Sequence, residues 1–471
     1  MTFDAIVVGA GMSGLCAAYA LRQAGLKVQV VEAGRQAGGV IASVARDGCL
    51  YETGPNSALD TTPLIGELVD ALGLRSRWRA ASEIANCRYV VRDGQLRALP
   101  MSPVAFFTTP LFSVGAKLAL MGEPFTRRGD PAREESIAAF VRRRLGSEFL
   151  DYAIDPFVAG VYAGDPEKIS VPAAFPKLHA LEQRWGSLIR GQILGAKERQ
   201  KARETAKNSA RSFAFDGGMQ VLTDALAQAA GPLALGVRAT RLGRRPDGGY
   251  TLHAQDGDSA LQFQARAVLL ATPADVTGAL LREHVPDAAD ALAGIDYAPV
   301  ASVASAYAVA DLAHALDGFG ALVPRREGRR ALGVLFSSSM FEGRAPAGTA
   351  LLTTFIGGRR QPELAGLPEA ELAALAHQEH VGLLGARAAP RWQAVTRWPR
   401  AIPQYNLGHL GRVARADVAT QALPGLFMAA NWKGGVSVGD CIANGRRTAE
   451  SLVYFLRAGS VSAACSAPPA R

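Results

Sequence analysis

Short apolar runs that break into glycine turns recur along this chain, and the clearest of them stand at its two ends. The segment DAIVVGAGMSGLCAAYALRQAGLKVQVVEAG, from Asp4 to Gly34, reads as a strand, a tight turn, an alanine-rich helix and a second strand. Ile6 to Val8 form the continuous apolar run that suits a parallel strand buried on both faces. Near the other end, GLFMAANWKGGVSVGDCIANGRRTAESL, from Gly425 to Leu452, carries an apolar run into a nearly uncharged glycine turn and then into a helix. In between, a strand around Gly236 to Thr240 leads into a hairpin, and Ala265 to Ala274 reads as another buried strand. The run from Leu367 to His380, LPEAELAALAHQEH, has the spacing of an amphipathic helix, with His377 and His380 expected on its surface and no metal site expected there. Residues 103–125 are mostly apolar and aromatic, with Lys117 the only cation and Pro103, Pro110 and Pro124 to interrupt any long helix. No run approaches the roughly 20 uncharged apolar residues that a membrane-crossing helix needs.

Composition sets the scale. A chain of 471 residues exceeds one simple core, so two or more domains are expected, and 49% apolar with 20% charged residues excludes a disordered chain. The net charge of +9 points to acidic partners: nucleic acid, anionic lipid, or a substrate bearing carboxylates. No nucleic-acid motif accompanies that charge, so nucleic acid is not expected as a partner. The one basic cluster, Lys197 to Arg211, reads as a solvated helix face. Cys16, Cys49, Cys87, Cys441 and Cys465 lack metal-site or disulfide spacing, which suits a reducing compartment. A dinucleotide-type motif that begins within the first ten residues leaves a signal peptide unexpected.

That motif, Gly9-Ala10-Gly11-Met12-Ser13-Gly14, follows the G-x-G-x-x-G pattern. Its first glycine permits the turn, its second lets a pyrophosphate approach the backbone, and its third lets helix and strand pack closely. Glu32 ends the second strand, where a carboxylate takes a ribose hydroxyl. The motif alone leaves NAD and FAD both open. Arg35, the pair Gly38-Gly39 and the run ETGPNS (Glu52 to Ser57) follow closely, and a second glycine turn so near the first favours a longer cofactor lying across the sheet.

Several segments together resemble the protoporphyrinogen oxidase branch of the flavin amine oxidase superfamily. They include VVEAGRQAGGVIAS, ETGPNS, FVAGVYAGDPEKIS, FAFDGGMQVL, LFSSSMFEGRAP, TTFIGGRR, RWPRAIPQYNLGH and GGVSVGDCIANGRRTAE, spread over nearly the whole chain. The resemblance implies an α/β fold: a two-dinucleotide-binding-type FAD domain, a mixed-sheet substrate domain and a helical membrane-facing insertion. It implies FAD segments at 1–86, 235–283 and 418–471, substrate segments at 87–96, 206–234 and 284–417, and the insertion at 97–205. Non-covalent FAD is expected. By the same carry-over Gly9 to Gly14 hold the pyrophosphate, Glu32 the ribose, and Val237 the adenine. Val40, Gly54, Pro55, Asn56, Ser57, Gly435, Val436 and Ser437 lie near the flavin ring, Trp398 approaches from the substrate side, and Asp440 is an N-cap or a cofactor contact. Related sequences commonly have Gly-Asn where this chain has Ala430-Asn431, a departure expected to shift the cofactor slightly.

On the substrate side the resemblance implies oxidation of protoporphyrinogen IX in three two-electron steps, with molecular oxygen as acceptor. A coproporphyrinogen-oxidising relative, a generic amine oxidase and a non-catalytic flavin-binding partner are the alternatives. Arg97 would hold a propionate; Leu322, Leu335 and Phe355 would sandwich the macrocycle; Ala173 would stand near the reactive edge. No acid–base constellation is evident, which suits chemistry carried by the flavin. Residues 103–125 would lie on the bilayer through Phe106, Phe107 and Leu111, giving a cytoplasmic protein peripherally attached to the cytoplasmic membrane. The next enzyme of the haem pathway is a further candidate partner.

Overall fold

The computed structural model describes residues 2–195 and 210–465, so Lys197–Arg211 lies outside the described residues except for its last two. Two seven-stranded sheets organise the chain. The first runs in the order β10 (Leu233–Leu235), β2 (Val28–Glu32), β1 (Thr2–Val8), β13 (Ser259–Leu270), β12 (Tyr250–Asp256) and β11 (Val237–Arg244), with β19 (Leu426–Met428) beside β13. β1 pairs in parallel with both β2 and β13, and Ala5 to Val8 are buried, as the apolar run requires. Three distant parts of the chain therefore build one sheet. β10 spans the expected boundary between 234 and 235, and it belongs to this sheet.

The helix Met12–Gln23 packs on that sheet and is crossed by the C-terminal helix Val438–Cys465. A Cβ at Gly445 would stand 2.4 Å from Ser13 O, so a bare Cα is what lets the two helices meet. The sequence ends are joined there.

The second sheet runs β18 (Trp392–Pro403), β14 (Tyr297–Ala308), β17 (Thr349–Gly357), β16 (Ala331–Leu335), β15 (Gly320–Leu322), β7 (Tyr89–Arg92) and β8 (Gln95–Ala98). It mixes parallel and antiparallel pairs, and β8 runs across the expected junction between 96 and 97. A hairpin of β3 (Ser43–Arg46) and β4 (Cys49–Glu52), and a small sheet of β5 (Ala58–Leu59), β9 (Ser212–Phe215) and β6 (Trp78–Ala80), connect the two large sheets. The helix Glu369–Leu384 covers one face of the second sheet. His380 on it is fully buried, contrary to the surface position expected from the sequence. Tyr307 Oη lies 2.9 Å from His377 Nδ1 and 3.0 Å from His380 Nδ1, and Thr354 Oγ1 lies 2.7 Å from His380 Nε2. Leucine and alanine spacing made the helix legible; the polar partners that draw the histidines inward come from strands far away in sequence. Among the described residues no group of three or more metal-ligating side chains forms.

Helices between residues 103 and 194 form an insertion with its own core, which includes Ile137, Phe140, Val141, Val158 and Ile169. Arg144 is buried between Glu123 and Glu182, and Glu123 also accepts from Ser187 Oγ, Leu188 N and Ile189 N. Leu111 is 0% exposed and belongs to a core with Phe112, Val90 and Tyr152, so it does not face outward as expected. The outward-facing apolar residues are others: Val104, Phe107, Val114, Leu118, Met121, Phe125, Ile193 and Leu194. Among the described residues no helix is long and apolar enough to cross a membrane.

Candidate functional site

The C-terminal ends of β1 and β2 open onto the first glycine turn. Gly9 has φ +104°, and a Cβ on Gly14 would stand 2.0 Å from Gly9 O, so both positions exclude side chains. A Cβ on Gly11, by contrast, would meet nothing within 4 Å: its bare Cα faces open space. The helix that follows is capped by Gly11 with no side-chain partner and has no acidic residue in its first turn. An uncapped N-terminus behind an open backbone suits a pyrophosphate. Glu32 accepts from Ala10 N at 2.6 Å and from Gly34 N at 2.7 Å, which holds its carboxylate at the mouth of the turn. Gly236 N donates to Gly34 O at 2.8 Å, and so brings Val237, buried at the start of β11, to the same place.

The second glycine turn lies on the first. Gly38 N donates to Ala10 O at 2.8 Å, and a Cβ on Gly39 would stand 3.3 Å from Gly11 Cα. Val40 and Gly54 meet backbone to backbone, since a Cβ on Gly54 would be 1.9 Å from Val40 O. Gly54, Pro55, Asn56 and Ser57 are half-buried at the boundary with the second sheet. There Thr353 Oγ1 donates to Asn56 Oδ1 at 3.5 Å and Trp398 Nε1 donates to Thr53 O at 2.6 Å. The Gly9–Gly14 turn, the Glu32 carboxylate and the Gly38–Ser57 segment are thus linked by direct contacts, and the residues present fit FAD.

The C-terminal glycine turn leads into the helix that packs on Met12–Gln23. Gly434 and Gly435 have φ +86° and +126°, and a Cβ on Gly435 would strike Asp440. The helix begins at Val438, so Ser437 and not Asp440 takes the cap position. Ser437 Oγ accepts from Asp440 N at 3.2 Å while the Asp440 carboxylate accepts from Ser437 N, also at 3.2 Å, and from Ser437 Oγ at 2.6 Å. This is a reciprocal capping box. Val436 packs in the same cluster as Ala173, whose short helix Val171–Ala174 is capped by Ser170. The Ala430 methyl joins the core of the first sheet.

Strand register gathers the remaining candidates. Thr396, Ser302, Phe355, Gly333, Leu322, Val90 and Arg97 pair in succession across the second sheet. Paired residues share a face, and Leu335 and Trp398 stand two residues from members of that row, so they share it too. The helix Asp155–Tyr162 lies over this face: a Cβ on Gly160 would be 2.9 Å from Leu322 Cδ2, and Phe355 packs against Ala159. Asp155 anchors the helix by accepting from Arg360 Nη2 at 2.7 Å and Arg325 N at 2.8 Å.

One residue on this face was missed in the sequence. Arg88 stands two residues before Val90 and opposite Leu99, whose N donates to Arg88 O at 2.7 Å. Its guanidinium lies 5.3 Å from the centroid of the Phe319 ring. Among the described residues it has no carboxylate partner, and burial pulls its pKa below the ordinary arginine value. The signal was present: Asp93-Gly94, both at positive φ, make a hairpin turn, and its register puts Arg88, Val90, Arg97 and Leu99 on one face. The arrangement offers an apolar strand surface with guanidinium groups at its β8 end and the Thr53–Ser57 segment against Trp398 and Thr353 toward its other end. It suits a broad apolar ring system with carboxylates along one edge.

The family described as flavin containing amine oxidoreductase matches residues 12–453. The chloroplastic protoporphyrinogen oxidase of Nicotiana tabacum is 36% identical over 474 residues, covering 96% of this chain and 86% of its own. A coproporphyrinogen III oxidase of Propionibacterium freudenreichii subsp. freudenreichii is 31% identical over 497 residues, covering 97% of this chain and 92% of its own. A crystal structure from Exiguobacterium sp. 255-15 is similar with a TM-score of 0.80 at 23% identity, covering 96% of this chain and 99% of that one, a likeness of fold.

Proposed function

We propose, from the premise that this chain belongs to the flavin containing amine oxidoreductase family, that it oxidises protoporphyrinogen IX to protoporphyrin IX in haem biosynthesis. The observation that carries this reading is the register row that puts Arg97, Leu322 and Phe355 on one face beside the glycine turns. FAD, when bound, would supply a two-electron oxidant in each of three cycles, three hydrides and three protons leaving the porphyrinogen in all and three dioxygen molecules becoming hydrogen peroxide. The chain's own residues do the rest. Leu322, Leu335 and Phe355 present a dry surface to the macrocycle, and the helix Asp155–Tyr162 excludes water from above it. Arg88 and Arg97 receive the propionates and so set which meso carbon faces the cofactor. Glu32 and the open cradle at Gly11 hold the cofactor from its far end.

The exposed apolar side chains of the insertion support a second part of the proposal, peripheral attachment to the cytoplasmic membrane, from which a poorly soluble porphyrinogen is taken up. Purified protein given protoporphyrinogen IX in air should produce porphyrin fluorescence with hydrogen peroxide. Acid precipitation should leave FAD in the supernatant, because the cofactor is held without a covalent bond. A folded protein with no flavin and no turnover would overturn the reading.

A further inference from the structure

The motif AIPQYNLGH, residues 401–409, carries no role in the site as described above. Its central residue, Tyr405, is 3% exposed and lies flat on His409, with ring centroids 4.1 Å apart and planes inclined by 13°. Tyr405 Oη accepts from Gly435 N at 2.9 Å and donates to Asn431 O at 2.7 Å. One hydroxyl thus ties together the two sides of the turn that carries Gly434 and Gly435. The main chain of the same residue reaches the substrate side: Tyr405 O accepts from Ser170 N at 2.8 Å, and Ser170 Oγ accepts from Ala173 N at 3.3 Å. Gln404 beside it donates from Nε2 to Tyr162 O at 2.8 Å, the last residue of the helix over the sheet face. Burial raises the Tyr405 pKa far above the phenol range, so the hydroxyl keeps the proton it donates.

We propose that Tyr405 is a positioning residue, whose hydroxyl sets the Gly434–Gly435 turn against the Val171–Ala174 helix and so sets the separation between cofactor and substrate. The inference rests on reading that turn as the seat of the flavin. A tyrosine suits the task because it both gives and takes a hydrogen bond at one point, and its ring is held by a second ring. Loss of the hydroxyl leaves Gly435 N and Asn431 O without their partner and frees the turn to move. Hydride transfer is sensitive to displacements of this size, since a shift of about 1 Å at a reacting centre can cost roughly a hundredfold in rate.

Tyr405→Phe keeps the ring and its stack on His409. It should weaken FAD binding to the apoprotein about tenfold and lower kcat by at least about tenfold. The visible flavin spectrum should shift, while KM for the porphyrinogen stays within about twofold. Tyr307→Phe removes a buried hydroxyl from the opposite face of the second sheet and is the control. It should reduce thermal stability and leave flavin affinity and spectrum unchanged. Wild-type flavin affinity, spectrum and kcat in Tyr405→Phe would overturn the inference, as would an equal flavin change in Tyr307→Phe. Should Tyr405→Phe not accumulate as folded protein, amide exchange at Gly435 in the wild-type apoprotein decides: slow exchange supports the clamp, and exchange at the solvent rate refutes it. A wild-type chain that takes up no FAD refutes the functional reading instead, which is a different result.

Discussion

Two guanidinium groups share the β8 end of the register row, and their surroundings differ. Arg97 sits on the edge strand β8, half-buried, while Arg88 sits one strand inward over Phe319 with its pKa lowered by burial. A charge-assisted hydrogen bond to a carboxylate contributes about 1.5–3 kcal/mol, and less where water screens it. Arg88→Ala should therefore raise KM by roughly 10- to 100-fold with a smaller change in kcat, and Arg97→Ala should raise it less. Steady-state kinetics on both variants test the order; an Arg97 effect larger than that of Arg88 would reverse the assignment. A second residue-scale expectation concerns acid. Burial, with His377 adding to it, lowers His380 to about 3, and burial lowers His409 to about 4. In the unfolded chain both titrate near 6.5, so between these values the unfolded state binds more protons and stability falls as pH drops from about 6.5 toward 4. Denaturant midpoints followed over that range should decline in the wild type, and the decline should be shallower in His380→Gln. The tight glycine turn and the Glu32 carboxylate at its mouth were legible in the sequence because both are set by local backbone geometry. Arg88 and the capping role of Ser437 needed register and helix start to be known, although both follow from short patterns, Asp-Gly and Ser-x-x-Asp, that the chain displays.

At the scale of elements, strand, turn and helix of the N-terminal glycine motif were readable because each carries its periodicity and its glycines within a short span. The insertion was readable only as apolar and broken. Within it, Glu123 holds the Leu188–Leu194 helix through Leu188 N and Ile189 N while pairing with Arg144. Elsewhere on the insertion Phe107, Leu118 and Phe125 stand 54%, 62% and 84% exposed. Removing one partner of a buried ion pair typically costs about 3–5 kcal/mol, so Glu123→Ala should unfold the insertion before the rest of the protein, visible as a separate early phase in limited proteolysis. The outward residues should act differently. Full burial of each such side chain in lipid contributes roughly 1.5–3 kcal/mol, so Phe107, Leu118 and Phe125 changed together to Ser should reduce binding to anionic vesicles by at least about a hundredfold with stability unchanged. Leu111→Ser should do the reverse, costing about 2–5 kcal/mol of stability through its buried position. Wild-type protein that fails to sediment with vesicles would remove the membrane part of the proposal.

The whole molecule decides which porphyrinogen is used, because the proposed site is assembled from a sheet face, glycine turns and a helix that come from separated parts of the chain. Protoporphyrinogen IX has two carboxylates along one edge and vinyl groups along the other; coproporphyrinogen III has four carboxylates. The two guanidinium groups, Arg88 and Arg97, stand together at one end of the register row, whereas Leu322, Leu335 and Phe355 occupy its middle. Two carboxylates can therefore be met at that end, and two more would be pressed against apolar strand and the helix above it. Desolvating each without a partner costs several kcal/mol, while a tenfold preference needs only about 1.4 kcal/mol. The expected outcome is a preference for protoporphyrinogen IX of at least about a hundredfold in kcat/KM, carried mostly by KM. A relative named for each substrate stands above 30% identity, so relatedness alone does not separate them and the site must. Leu335→Arg supplies the sharper test, since it would place a cation in the apolar middle of the row. It should raise kcat/KM for coproporphyrinogen III while lowering it for protoporphyrinogen IX. Equal use of both substrates by the wild type, or no change of preference in Leu335→Arg, would mean that the row does not carry the macrocycle in this orientation and that the coproporphyrinogen reading is the better one.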